Sequence, residues 1–284
     1  MKPSAFEYLA PESCDEVLAA LAGRGDDAAV LAGGQSLIPM MNLRIAAPPV
    51  VIDIMRIAEF RTIERGEEWI EIGAGIRMAQ AERESASPLI EYALKHVGHA
   101  AIRNAGTVCG SIAHADPAAE LPAVLLALDG EVVLRSTRGV RAVAADDFFR
   151  SYFTTAREPD ELVVAVRIPT TPRRVAFLEV TPRLGGSTGE FATVAVAAAA
   201  ERDDAGRFAS VSLAFAGVAE RAIRAREAET LLAGAEPTGD AIAEAAERAA
   251  DAVDPPEDVH AGADYRRELV RALTRRALGE LASR

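Results

Sequence analysis

A chain of 284 residues, half of them hydrophobic and about a quarter charged, has the composition of a soluble globular protein large enough for two domains. Its formal net charge of −12 argues against nucleic acid or an anionic membrane as a partner, while leaving a small phosphate ligand held by local N–H groups open. Two cysteines, Cys14 and Cys109, are too few for a disulfide framework or for an iron–sulfur cluster held by this chain alone.

Taken in order, Ser13-Cys14-Asp15-Glu16 reads as a capping box opening a helix through Val17, Leu18 and Leu21, which Gly23 and Gly25 end. A short strand at 28–31 runs into the glycine loop Ala32-Gly33-Gly34-Gln35-Ser36. Leu37, Ile38, Met40, Met41 and Leu43 predict a short buried helix or turn, and 50–54 a further strand after Pro48-Pro49. Residues 1–55 thus read as a small βαβ-like lobe. Residues 60–65 and 69–72 alternate apolar and polar, as antiparallel strands do, with a turn at Glu64 to Glu68. Helices follow at 78–83 and 88–97, then a second glycine loop, Gly106-Thr107-Val108-Cys109-Gly110-Ser111. An apolar helix at 117–128 is expected to bend at Pro122, and 131–136, 140–144 and 162–168 read as strands, giving a second lobe over 56–171. The remainder, 172–284, predicts three antiparallel strands (175–181, 192–200, 209–217) and then three helices (224–232, 240–252, 264–281). The fold class is α+β.

Glycine loops beside apolar strands present several backbone N–H groups to one point, which suits phosphate, and two such loops suggest a ligand with two phosphates. Other nucleotide signatures are missing. There is no G-x-x-x-x-G-K-[ST], and Gly73-Ala74-Gly75 lacks the third glycine of a Rossmann fingerprint. Lysine occurs only at Lys2 and Lys95, which leaves no plausible Walker or Schiff-base lysine. No serine has a recognisable histidine partner, and His114, Asp116 and Glu120 match no standard metal spacing. No catalytic residue and no metal ligand is therefore assigned. The start at Met1 lacks the apolar core of a signal peptide and no apolar run approaches a membrane span, so a cytoplasmic protein is the expectation.

The stretch from Leu31 to Pro39, and that from Ile102 through Gly106-Thr107-Val108-Cys109-Gly110-Ser111 to Asp116, Glu120 and Pro122, together resemble the FAD-binding medium subunit of the molybdenum hydroxylases, the xanthine dehydrogenase and carbon monoxide dehydrogenase family. Glu158-Pro159-Asp160-Glu161-Leu162 and Tyr265-Arg266-Arg267 also sit where such subunits carry similar residues. The resemblance implies a two-lobed FAD-binding domain of the vanillyl-alcohol-oxidase type with a C-terminal domain of three strands and a helix bundle. It implies that Ala32, Gly33, Gly34, Gln35 and Ser36, with Thr107, Val108, Cys109, Gly110 and Ser111, hold the FAD pyrophosphate. Glu120 would hydrogen-bond the ribityl or flavin portion, Gly98 would lie near the cofactor, Leu162 near its isoalloxazine or adenine end, and Phe191 over one face of the ring.

The same resemblance implies partner subunits: a large one with a molybdenum–pterin cofactor and a small one with two [2Fe–2S] clusters, assembled as a dimer of heterotrimers. Electrons would pass from those clusters through this chain to an external acceptor. A free-standing flavin oxidoreductase of the same fold and a non-catalytic nucleotide-binding assembly subunit are the alternatives. Three departures stand out. Cys109 replaces the first glycine of the usual Gly-Gly pair, which requires a negative φ there. Glu179 stands where several members carry a lysine near the flavin, and the segment from Pro182 to Gly189 is longer by about four residues. A branched side chain at Gly33 or Gly110 is expected to block the phosphate.

Overall fold

The computed structural model describes residues 2–84, 87–170, 173–182 and 190–283. The boundary at 171/172 and the lengthened segment's residues 183–189 lie outside them.

The chain opens with a parallel sheet of β1 (Glu7–Leu9), β2 (Ala28–Leu31) and β3 (Val50–Asp53) in the order β1–β3–β2. Between β1 and β2 runs α1 (Cys14–Arg24), whose N-cap Ser13 accepts the Glu16 N–H at 3.3 Å. Glu16 reaches back to the N–H of Glu12 at 2.9 Å rather than to that of Ser13, so the box closes one residue early. Cys14, Val17, Leu18 and Leu21 are the buried face of α1. The next helix, α2 (Leu37–Asn42), corrects an expectation: only Met41 is buried, while Ile38 and Leu43 are exposed. Its six residues are too few to fold an apolar stripe over the three-stranded sheet.

An antiparallel sheet follows in the order β4–β5–β10–β6–β7, built from β4 (Ile63–Arg65), β5 (Trp69–Gly73), β6 (Glu131–Ser136), β7 (Gly139–Ala144) and, later in the chain, β10 (Leu162–Pro169). The β4–β5 turn lies where expected, with the Gly66 N–H donating to Trp69 O at 2.8 Å. Residues 58–60 form a 3-10 turn rather than the start of a strand. Gly73 and Gly75 lie under it: Gly75 N–H donates to Phe60 O at 2.8 Å, and a Cβ on Gly73 would sit 2.5 Å from that oxygen. These glycines serve close backbone packing, not a nucleotide.

Between β5 and β6 come α3 (Met78–Arg83), α4 (Pro88–Leu94), α5 (Ala100–Ala105), α6 (Val108–His114) and α7 (Glu120–Ala127). All eight residues of α7 are buried, as an all-round apolar helix must be. Pro122 is its third residue and so does not bend it, because first-turn N–H groups have no intrahelical acceptor to lose. After β7, α8 (Ala145–Phe148) leads to the small hairpin β8 (Phe149–Ser151) and β9 (Thr154–Thr155). In the turn before β10, Glu161 is buried and accepts two 2.7 Å bonds from Arg141 and one from the Glu158 N–H. The Glu158–Leu162 motif is thereby a structural pin.

The C-terminal sheet has four strands, not the three expected: β11 (Arg174–Val180), β12 (Val194–Arg202), β13 (Phe208–Ala216) and β14 (Ile223–Arg224), all antiparallel. The fourth is two residues long. Arg224 stays in it because its guanidinium is bound by Glu229, Asp129 and Ser212, so α9 (Arg226–Leu232) starts two residues later than its periodicity suggests. The helices α10 (Gly239–Asp251) and α11 (Ala263–Ser283) complete the chain. The alternation in β12 sorts its side chains between two cores. Ala195, Ala197 and Ala199 join the one that contains α7 and the antiparallel sheet, while Val194, Val196, Ala198 and Ala200 join the one beneath the last three helices. Alanines on the first face let α7 approach closely.

Candidate functional site

At the end of β2, Leu31 O still accepts the Ile54 N–H at 3.0 Å, after which the backbone leaves the sheet as Ala32 to Ser36. Gly34 has φ +72°, which favours glycine. Among the described residues no backbone acceptor takes the N–H of Gly33, Gly34, Gln35 or Ser36. Ser36 occupies the N-cap of α2 without making the side-chain cap, so its hydroxyl is free as well. A run of backbone donors left open by the fold is what an anion requires.

The second stretch is less of a loop than its composition suggests. Thr107 is the N-cap of α6, its Oγ1 accepting the Gly110 N–H at 3.0 Å, so residues 108–111 are helical. Gly110 is therefore needed for space, not for φ: a Cβ there would lie 2.7 Å from Thr107 Oγ1 and 3.8 Å from Ala32 Cβ. The two segments touch. A Cβ on Gly33 would strike Ala105 O and lie 2.5 Å from Gly106 Cα, and one on Gly106 would lie 3.6 Å from Gln35 Cγ. Open N–H groups of Gly33 to Ser36 thus lie against the positive end of α6. The geometry changes the reason for the glycine at 33: a side chain there collides with protein backbone before it reaches any phosphate.

Cys109 lies inside α6, outside the residues with positive φ, as its side chain requires. Its thiol is turned into the core, 3.4 Å from Ile72 O, and burial pushes it up to about 12. It is an inert small core residue.

From α6 the chain turns at Ala115, in the left-handed region at φ +52°. Asp116 accepts the Ala118 N–H at 2.9 Å, and Pro117 O accepts the Gly217 N–H at 2.8 Å, which ties this segment to the C-terminal sheet. Glu120 then opens α7. The N–H groups of Val108, Gly110 and Ser111 are taken by Ile76 O, Thr107 Oγ1 and Thr107 O, so the open donors of the site are those of the first segment. Glu120 is 4% exposed; burial, with Asp116 nearby, pushes its carboxyl up to about 7. Glu179, on β11, is pushed up to about 8 by burial and by the charge of Glu120. The structure so brings together Ala32 to Ser36 and Thr107 to Ser111, while Glu120 lies beyond α6 at the start of α7 and Glu179 on β11.

Other residues implicated by the sequence fall elsewhere. Gly98 has φ +48°, in the turn between α4 and α5. Its carbonyl and that of Val97 accept from Arg103 at 3.0 and 3.1 Å. Leu162 is 2% exposed at the start of β10 and packs in the core, with no surface to offer a ligand. Phe191 is exposed on the approach to β12. Arg266 is buried and binds Thr193 O, Gly217 O and Asp258, so it clamps α11 to β12 and β13. Among the described residues no group of three His, Cys, Asp or Glu could hold a metal, and no helix is long and apolar enough to cross a membrane.

Two family models match the chain: the FAD binding domain in molybdopterin dehydrogenase over residues 4–171, and the CO dehydrogenase flavoprotein C-terminal domain over residues 183–281. The 6-hydroxypseudooxynicotine dehydrogenase complex subunit alpha of Paenarthrobacter nicotinovorans is 36% identical, over 100% of this chain and 97% of its own. The glyceraldehyde dehydrogenase medium chain of Sulfolobus acidocaldarius is 34% identical, over 99% and 100%. A solved chain of the carbon monoxide dehydrogenase from Hydrogenophaga pseudoflava superposes with a TM-score of 0.94 at 35% identity, covering 100% of this chain and 99% of that one.

A segment with open backbone donors set against the start of α6, a buried carboxyl at the start of α7 and a docked C-terminal sheet are the features of the site. The chain belongs to the FAD-binding medium subunits of the molybdenum hydroxylase family of oxidoreductases.

Proposed function

We propose that this chain is the electron-transfer subunit of a three-component molybdenum hydroxylase, cytoplasmic and assembled as a dimer of heterotrimers. Its fold is read as the vanillyl-alcohol-oxidase type, with units at 1–55, 56–171 and 172–284. The observation that carries the reading is the contact between the two glycine segments, which sets the free N–H groups of Gly33, Gly34, Gln35 and Ser36 beside the N-terminus of α6. These donors would hold a pyrophosphate, and Glu120 would reach the ribityl or flavin portion. When bound, FAD supplies the exchange between one-electron and two-electron chemistry. The residues of this chain bind and orient the cofactor and keep water from the apolar core beneath it. No acid–base pair is needed for that role.

The partners follow from what this chain lacks. Its two cysteines are both buried and cannot hold a cluster alone, so electrons would arrive from [2Fe–2S] clusters on a small subunit and leave to an external acceptor. The molybdenum cofactor would sit on a large subunit. The relatives are named for 6-hydroxypseudooxynicotine, glyceraldehyde and carbon monoxide as substrates, which supports placing substrate choice on that large subunit.

The test is co-expression with the two partner genes and purification through a tag on this chain. One FAD per chain, with iron and molybdenum in the same peak, is expected. A flavin-bearing chain that stays solitary and reduces an acceptor by itself would overturn the subunit assignment, and a colourless chain would overturn the site.

A further inference from the structure

Gly217, just past the end of β13, is gripped from both sides. Its N–H donates to Pro117 O at 2.8 Å, and its carbonyl accepts from Arg266 Nη1 at 2.9 Å. The same nitrogen gives its other hydrogen to Thr193 O at 2.5 Å, while Nη2 donates to Asp258 Oδ2 at 2.7 Å. Asp258 is itself fixed, its Oδ1 accepting the N–H groups of His260 at 2.8 Å and Ala261 at 3.0 Å. Packing here is close: Gly217 has φ +78°, and a Cβ on it would lie 2.5 Å from Thr193 O. The Arg266 side chain is 4% exposed, and its Nε is buried without a hydrogen-bond partner. The fork is therefore set for the two carbonyls at some cost to its own pairing.

Each gripped segment leads to a residue already implicated in the site. Thr193 fixes the irregular lead-in to β12, its N–H donating to Val180 O at 2.8 Å, and the exposed Phe191 stands two residues before it. Pro117 belongs to the turn from α6 into α7, where the Ala118 and Ala119 N–H groups bind Asp116 and Glu120 follows. Neither Pro117 nor Thr193 lies in a helix or strand, so no regular ladder holds them. Their bonds to Gly217, Arg266 and Val180 do. Arg266 makes no hydrogen bond to residues 32–36 or 105–111, where the pyrophosphate is placed.

We propose that Arg266 is a positioning residue for the flavin end of the site: one guanidinium on α11 fixes the lead-in that presents Phe191 and, through Gly217, the turn that presents Glu120. It acts through backbone carbonyls and touches no cofactor. Its meaning for FAD rests on the function proposed above, whereas the linkage from α11 to residues 117 and 193 belongs to the flavin-free chain.

Two conservative variants test the linkage in the full-length chain. Arg266→Lys keeps the charge, but its single nitrogen has no fork to span both carbonyls and Asp258. Asp258→Asn keeps the arginine and removes its charged anchor. In the flavin-free Arg266→Lys chain, amide hydrogen exchange should be about tenfold faster in peptides covering 116–121, 192–194 and 216–218. Peptides covering 36–42 and 107–112 should keep the wild-type rate, and Asp258→Asn should give the same pattern more weakly. FAD should bind Arg266→Lys about tenfold more weakly, whereas ADP, which carries the pyrophosphate without the flavin, should bind both proteins alike. Exchange that is unchanged throughout, or equally faster in both sets of peptides, would overturn the positioning role. So would equal weakening of FAD and ADP, which is what a general loosening of the fold produces. A wild-type chain that binds no FAD would overturn the function proposed above, and the exchange pattern would still decide the linkage.

Discussion

Ser36 separates binding from folding more cleanly than any glycine in the site. It sits at the N-cap of α2 but makes no side-chain cap, so Ser36→Ala should leave the melting temperature of the flavin-free chain within experimental scatter. A hydroxyl bond to a charged phosphate is worth about 1.5–3 kcal/mol, so the same change should weaken FAD binding by about 10- to 100-fold, read by fluorescence titration. Gly33 offers no such separation, because even alanine there strikes the Ala105 carbonyl. Cys109 makes the opposite case. The sequence marks it as the irregular position in the second stretch, yet the thiol is buried in the core with its ionisation pushed up to about 12. It should resist alkylation in the folded chain at pH 8 and react on unfolding, and the flavin should be released intact by acid. Flavin that stayed attached to the denatured chain would contradict this.

Among the elements, those whose residues carry a strong local pattern were legible in the sequence, and those defined by partners were not. The β4–β5 turn, the capped α1 and the long strands β12 and β13 follow from alternation and turn chemistry. β1 is three residues with no buried side chain, α5 likewise buries none, and β14 exists because of what Arg224 binds. That last cluster is also the most testable. The Arg224 and Glu229 side chains are 5% and 8% exposed and share a bidentate pair, while Glu229 also accepts the Leu213 N–H at 2.8 Å. Arg224→Ala leaves a buried carboxylate without its main partner and should cost about 3–5 kcal/mol in urea unfolding. Arg226→Ala removes the exposed ion pair with Asp146 and only a peripheral 3.5 Å contact with Glu229, and should cost under about 1 kcal/mol. Equal losses would mean that the buried cluster carries no special weight.

For the whole molecule, the site is a product of topology. Segments 32–36 and 105–111 are some seventy residues apart in the chain and meet because β2 ends beside the start of α6. Residue types alone indicated the two segments, but their contact, the free donors of the first and the helical state of the second needed the fold. Glycines elsewhere, as at 73 and 75, answer only to packing, which is why a glycine pattern by itself was weak evidence.

The most direct measurement is the stoichiometry of FAD bound by the full-length chain, followed by calorimetric titration of the flavin-free protein. One FAD per wild-type chain is predicted, with binding lost in Gly33→Ala and weakened but retained at the same stoichiometry in Ser36→Ala. A wild-type chain that takes up no FAD, or binding that neither variant alters, would contradict the account.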